Sequence, residues 1–113
     1  MSRDVLLYVA DILSAGEAIL RYTDGIAYAA FAGNDEKRAA VERQLFVIGE
    51  AAARLPEDWK REHPAVPWRQ IVGLRNLLAH GYWVIEAEEL WDITRHKVPE
   101  LVAALRPLSG DLP

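Results

Sequence analysis

The chain has 113 residues, of which 51% are hydrophobic and 27% charged, and its formal net charge is −4. This length corresponds to one domain with a single core, expected to span residues 1–113. Cysteine is absent, which excludes disulfides, thiolate nucleophiles and cysteine-ligated zinc. No apolar run approaches the ~18 residues of a membrane span, and acids interrupt the apolar pattern at the N-terminus, unlike a signal peptide. We therefore expect a cytoplasmic protein.

Helical spacing of apolar residues dominates the sequence from its start, and strand signals are weak. Residues 3–22 carry an apolar stripe at three- and four-residue intervals, which predicts a first helix capped by Ser2 or Asp4. The letters TDG at 23–25 indicate a break. A short helical piece, IAYAAF at 26–31, is expected to follow it.

Asn34 is a suitable N-cap for the longest predicted helix, which begins at Asp35 and ends near Leu55. Pro56 stops this helix, because proline has no backbone N–H and its ring clashes with the preceding turn. Residues 56–66 are polar and are interpreted as a connector with room for one helical turn.

Pro67 suits the first position of the next helix, and Gly81 suits the left-handed position just after its end. The side chains expected to face inward on this helix are those of Trp68, Ile71, Leu74 and Leu78. The last helical segment is 86–98, after which Pro99 starts a new helix or kinks the old one. The tail, 109–113, is expected to fray. These elements predict an all-α, antiparallel bundle of four to five helices.

The segment RNLLAHGYW, 75–83, lies in a stretch without Asp or Glu that extends from 63 to 85. This pattern indicates a local anion-binding surface, or a buried helix that avoids carboxylates. Arg75 and His80 are five residues apart, roughly 140° round a helix axis, so a straight helix does not point both at one atom. Either a break at Gly81 swings His80 round, or the pair meets its counterpart in a second subunit.

These residue types suit the cleavage of RNA. A histidine, with an unperturbed pKa of ~6.5, can take a proton from a ribose 2′-hydroxyl or give one to the departing 5′-oxygen. The guanidinium of Arg75 presents a planar fork to phosphate oxygens and can stabilise the charge of a pentacoordinate phosphorane. Asn76 shares a helix face with His80, and its amide can orient the imidazole or bind phosphate. No metal is needed, and the three histidines lack paired ligand spacing.

Each of these residues also has a structural interpretation. His80, in the last turn of a helix, can cap backbone carbonyls, and Tyr82 can be a core aromatic. Arg75 can pair with Glu50 on a neighbouring helix. Glu50 could then hold Arg75 in place, or be a solvated surface acid. Arg69 is interpreted as an exposed arginine that could widen an anion-binding surface.

Together these segments resemble the HEPN superfamily, and most closely its HepT branch. The motif of that branch is an arginine, four residues, a histidine, one residue and a tyrosine, which here are Arg75, His80 and Tyr82. Three longer segments are similar to the family's long helix, its Pro-Trp entry into the motif helix and its closing segment: VERQLFVIGEAAARLP, HPAVPWRQIVGLRN and LWDITRHKVPEL. The resemblance thus covers nearly the whole chain.

The resemblance implies a HEPN-like helical bundle that dimerises through the motif-bearing helices. It implies a toxin of a prokaryotic type VII toxin–antitoxin system, a metal-independent RNA endonuclease with a composite site in the homodimer cleft. Arg75, His80 and Asn76 would be catalytic, with Glu50 in support. No cofactor of its own is implied, and dimers could join into higher assemblies.

The implied partner is an MntA-like minimal nucleotidyltransferase, which would inactivate the toxin by transferring AMP from ATP onto Tyr82. A phosphate there would lie two residues from His80, compete for Arg75 and repel the RNA backbone. Two alternatives remain open. One is a non-catalytic module that binds a nucleotide or the nucleotidyltransferase, which the acidic net charge favours. The other is a structural helical dimer.

Overall fold

The computed structural model describes residues 2–80 and 85–109, and within them we find no strand. The α-helices are α1 (Arg3–Tyr22), α2 (Tyr28–Ala32), α3 (Asp35–Arg54), α4 (Glu57–Arg61), α5 (Trp68–His80), α6 (Ala87–Asp92) and α7 (Val98–Leu105). A π-helical turn, Ile93–Lys97, joins α6 to α7, and a 3₁₀ turn, Arg106–Ser109, follows α7. The all-α prediction is confirmed.

Side-chain caps place the starts of α1 and α3 as predicted. Ser2, rather than Asp4, caps α1, since its Oγ accepts the N–H of Val5 at 3.2 Å. Asn34 caps α3, and its Oδ1 accepts the N–H of Lys37 at 2.9 Å. Each bond satisfies a donor that the first turn of a helix leaves unpaired.

The helices α1 and α3 lie side by side and antiparallel. At one end, the carbonyl of Tyr22 accepts from Nζ of Lys37 at 2.6 Å, and its hydroxyl accepts from Nε2 of Gln44 at 3.1 Å. At the other end, Tyr8 and Glu50 line one cleft between the two helices. The start of α1 therefore faces the end of α3.

The short helix α4 turns the chain back toward α3. Lys60 is only 7% exposed, and its Nζ donates to the carbonyl of Ala52 at 3.1 Å and pairs with Glu57 at 3.0 Å. The ring of Trp59 lies 5.8 Å from that of Trp68 at the start of α5. The start of α5 thus lies beside the end of α3, and these two helices are also antiparallel.

The position predicted for Pro67 is wrong by one residue. The helix α5 begins at Trp68, and the carbonyl of Pro67 accepts the N–H of Ile71 at 3.1 Å. Accepting that first helical bond from outside the helix is the role of an N-cap residue. The indole Nε1 of Trp68 also donates to the carbonyl of His63 at 3.0 Å. This bond ties the first residue of α5 to the connector before it.

The chain is helical without a break from α6 to α7. The N–H of Val98 donates to the carbonyl of Ile93, five residues earlier. Pro99 has no N–H for the carbonyl four residues before it, and the turn that precedes it takes the wider π spacing. The sequence predicted a new helix or a kink at Pro99; in the structure Pro99 lies in the first turn of α7, which follows the π-helical turn without a break.

The core lies where α1, α3 and α7 meet, closed at one end by α2 and α6. Its fully buried apolar side chains are Val9, Ile19, Phe31, Val41, Ala52, Leu90 and Leu105. Of the tail predicted to fray, 109–113, Ser109 is ordered: it ends the 3₁₀ turn, and its Oγ donates to the carbonyl of Arg106 at 2.7 Å. The rest of that tail, 110–113, and Gly81 with its predicted role lie outside the described residues. None of the helices in the described ranges is long and apolar enough to cross a membrane.

Candidate active site

The helix α5 carries the predicted site and packs on α3 along one side only. Of the four side chains predicted to face inward, Trp68 is buried, and Ile71, Leu74 and Leu78 are partly buried against the core. On the other side of α5, Leu77 is 41% exposed. The motif helix therefore has one face in the bundle and one face open.

Arg75 lies at the line of contact between α5 and α3. Its Nη1 is 3.1 Å from Oε1 of Glu50, and the two side chains are 26% and 35% exposed. Within the described residues, the buried Nε of Arg75 has no hydrogen-bond partner. Of the two interpretations of Glu50, the structure shows the ion pair across the helices. The guanidinium is held by α3 on one side and stays accessible on the other.

Asn76 and His80 lie on the open face of α5. Both residues are exposed, and their spacing of four places them on one side of the helix. The helix continues through His80. His80 is therefore not swung off the helix axis, and it points about 140° away from Arg75. One subunit thus presents the arginine and the histidine in different directions.

Tyr82 lies outside the described residues, as does Gly81. The structure therefore gives no distance from Tyr82 to Arg75 or His80. Arg69, the other arginine of α5, is exposed, as predicted from the sequence.

A groove of about 590 Å³ runs between α5 and the helical run formed by α6 and α7. Its floor is formed by Leu45 and Ile48 of α3, and its walls by Leu74 and Leu77 on one side and Leu101 on the other. Because it is mainly apolar, the groove is poorly suited to a polyanion.

The histidines and acids are dispersed over the surface. Among the residues that the structure describes, no three or more His, Asp or Glu side chains are grouped so that they could hold a metal ion. His63 bonds the carbonyl of Trp59 through Nδ1 at 2.9 Å and stacks on that indole at 4.1 Å. His96 lies 3.8 Å from Asp92. Neither histidine lies on α5.

Comparison with known proteins decides the family. A family model described as "Ribonuclease HepT-like" matches residues 12–108. The chain is 39% identical over 99 residues to a "Putative RNase" of Methanocaldococcus jannaschii, covering 88% of this chain and 91% of that protein. It is 36% identical over 101 residues to "Probable ribonuclease HepT" of Thermococcus cleftensis, covering 89% and 92%. The chain belongs to the HepT-like ribonuclease family.

A second "Putative RNase" of M. jannaschii is 36% identical over 110 residues, which cover 97% of this HepT-like chain and 91% of that protein. No solved structure matches the chain significantly. Membership in the HepT-like family confirms the resemblance drawn from the sequence. The roles of Arg75, Asn76, His80, Glu50 and Tyr82 stay predictions.

Sequence reasoning about the HepT-like motif missed Gly49. This buried glycine of α3 faces Arg75: a Cβ built on it would lie 2.8 Å from Cγ and 3.3 Å from Cα of Arg75, and closer still to its Cβ. A glycine in the middle of a helix costs about 1 kcal/mol relative to alanine. An unfavourable helical glycine beside the candidate residue Glu50 was therefore the signal in the sequence for this close contact.

Proposed function

We propose that this chain is a metal-independent RNA endonuclease, the toxin of a type VII toxin–antitoxin system. The observation that supports it is that α5 carries the candidate residues on two different faces. Arg75 is held by Glu50 against α3, while Asn76 and His80 lie on the open face of the same helix. Membership in a ribonuclease family gives this arrangement a substrate, RNA.

The proposal requires a homodimer with composite sites. Because His80 points about 140° away from Arg75 on a straight helix, one subunit does not direct both at a single phosphate. A two-fold axis that brings His80 of one subunit beside the accessible side of Arg75 of the other would complete the site. Leu77 is 41% exposed, and no described atom lies within 4 Å of a Cβ added at Gly73, so this part of α5, beside the groove, has room for a second helix.

The reaction is an in-line transfer within the RNA chain. The ribose 2′-oxygen attacks the adjacent phosphorus, the bond to the 5′-oxygen breaks, and the products are a 2′,3′-cyclic phosphate and a 5′-hydroxyl. Imidazole groups take the proton of the 2′-hydroxyl and supply one to the 5′-oxygen. The guanidinium of Arg75 binds the phosphorane oxygens, and the amide of Asn76 orients the imidazole.

The first prediction concerns His80. Purified protein is expected to cleave RNA in the presence of a chelator and to leave 2′,3′-cyclic phosphate ends. His80→Ala removes the proton-transfer group and should lower the rate about 10²- to 10⁴-fold, with an unchanged circular dichroism spectrum. His96→Ala is the matched control, because His96 is also an exposed histidine on a helix. Equal rates for His80→Ala and the wild type would remove His80 from the site.

We further propose that an MntA-like nucleotidyltransferase controls the toxin through Tyr82. The phenol oxygen would attack the α-phosphorus of ATP, the bond to the β-phosphate oxygen would break, and pyrophosphate would leave as the phenol proton is lost. The added phosphate would compete with RNA for Arg75 and repel its backbone. The partner alone uses ATP in this scheme.

A second prediction tests that control. Incubation with the nucleotidyltransferase encoded next to this chain and with ATP should add whole AMP units to the wild type and stop RNA cleavage. Tyr82→Phe should gain no mass and stay active, and mass spectrometry with an RNA assay measures both. If the wild type gains AMP but never cleaves RNA, the chain is the non-catalytic binding module instead.

A further inference from the structure

Gly49 occupies an unusual place in α3. It is buried in the middle of a 20-residue helix, where glycine is unfavourable because its backbone loses more conformational freedom on folding than that of any other residue. Close packing of a neighbouring helix can favour glycine at such a position despite this cost. The neighbouring helix here is α5, directly opposite.

The contact at Gly49 involves the main chain of α5 and not a movable side-chain end. A Cβ on Gly49 would lie 3.3 Å from Cα and 2.8 Å from Cγ of Arg75, and closer still to its Cβ. Since Cα and Cβ move only with the helix backbone, no rotamer of Arg75 relieves this overlap. The side chain of any other residue at position 49 would push α5 away from α3.

The next residue of α3 holds the other end of the same side chain. Glu50 pairs with Nη1 of Arg75 at 3.1 Å, and the buried Nε has no hydrogen-bond partner among the described residues. Two consecutive residues of α3 therefore fix the position of the Arg75 side chain. Gly49 sets how deeply its stem enters the helix contact, and Glu50 sets the direction of the guanidinium.

We propose that Gly49 is a positioning residue for the guanidinium of Arg75, and through it for the scissile phosphate. This inference rests on the proposed ribonuclease function. Displacement of a catalytic group by about 1 Å can cost on the order of 10²-fold in rate, and a methyl group at position 49 forces a shift of that size. The transition state, where the phosphorane carries extra charge, is affected more than the bound substrate.

The test is Gly49→Ala, compared with Gly16→Ala. Gly16 is also a buried helical glycine, and a Cβ there would lie 2.7 Å from Cγ2 of Val102 on α7. Both variants should lose stability, but only Gly49→Ala moves Arg75. We expect kcat on RNA, corrected for the folded fraction, to fall about 10- to 100-fold for Gly49→Ala with KM changed less than threefold. Gly16→Ala should keep its kcat.

A second measurement does not depend on activity. The Nε–H resonance of Arg75, assigned through its loss in Arg75→Lys, should shift in Gly49→Ala and stay in place in Gly16→Ala. A wild type that never cleaves RNA would defeat the ribonuclease proposal, while the resonance would still report whether Gly49 positions Arg75. An unshifted resonance, or a kcat within twofold of the wild type, overturns the inference about Gly49.

If Gly49→Ala does not fold, Glu50→Gln tests the positioning of Arg75 through the second contact that α3 makes with it, the ion pair. This variant keeps the shape of the side chain and removes the charge that orients the guanidinium. The proposal then requires a lower kcat, a KM close to that of the wild type and a shifted Arg75 resonance. An unchanged kcat in a folded Glu50→Gln variant contradicts it.

Discussion

Arg95 and Arg75 show how the surroundings of one residue type decide its role. Nη2 of Arg95 donates to the carbonyls of Thr23 and Ile26, both at 2.8 Å, and its Cζ lies 4.1 Å from the centre of the Trp91 ring. Both hydrogen bonds of this arginine fasten the turn between α1 and α2, and the Trp91 ring of α6 supports its guanidinium. Among the described residues Arg75 makes one ion pair, with Glu50, and the other side of its guanidinium is accessible.

A residue-scale prediction follows for Arg95. Arg95→Ala removes the donor from two carbonyls of a turn whose Thr23 is fully buried, together with the contact to the Trp91 ring. The free energy of unfolding should fall by about 2–3 kcal/mol, because bonds from charged donors contribute about 1.5–3 kcal/mol. Urea unfolding followed by circular dichroism measures it. The exposed Arg21→Ala should cost less than about 1 kcal/mol, and similar losses for both variants would contradict this assignment.

At the scale of the element, α2 is too short to be stable by itself. A helix of five residues has few internal hydrogen bonds to offset its nucleation cost, and α2 is held by its packing on α6. The ring of Phe31 is fully buried and lies 5.0 Å from that of Trp91. Tyr28 meets the same indole edge-on at 6.0 Å and is 36% exposed.

The corresponding prediction compares these two aromatic residues. Phe31→Ala leaves a cavity where α2 meets α6 and should lower the free energy of unfolding by about 3–5 kcal/mol. Tyr28→Ala removes an edge contact at the surface and should cost about 0.5–1.5 kcal/mol. Thermal and urea unfolding measure both values. Should Tyr28→Ala prove the more damaging, α2 is anchored through its surface and not through the core.

At the scale of the whole molecule, the open side of α5 sets the expected assembly. One side of α5 is fastened to α3 by Arg75 and its apolar residues, and the other carries Asn76, Leu77 and His80 toward solvent. The proposed composite site needs this face to meet a second copy. A dimer that forms through another surface would leave Arg75 and His80 on separate sides of the particle.

The prediction for the whole molecule uses Gly73, where an added Cβ would have no atom of the described residues within 4 Å. Gly73→Trp should leave the monomer folded and hold the partner helix away, so the mass in solution should fall to that of a monomer. RNA cleavage should fall with it. Light scattering after size-exclusion chromatography measures the mass. Ser14→Trp, at an exposed position of α1, is the control, and an unchanged dimer mass for Gly73→Trp would place the interface elsewhere.

Local sequence determined much of this structure. The apolar spacing of α1, the caps Ser2 and Asn34 and the stop at Pro56 are signals that act within a turn or two, and each appears in the structure where it was expected. The same holds for the position of Arg75, Asn76 and His80 on one helix. Pro67 was misplaced by one residue because local pattern fixes the end of a helix only to within one or two residues.

Only the tertiary structure decided what those residues meet. The pairing of Arg75 with Glu50 was one of several alternatives in the sequence, and the closeness of Gly49 to Arg75 and the capture of two distant carbonyls by Arg95 were not predicted. These contacts depend on where two helices cross and how near they approach. That distance is set by the packing of the whole core, which no pattern within a single helix specifies.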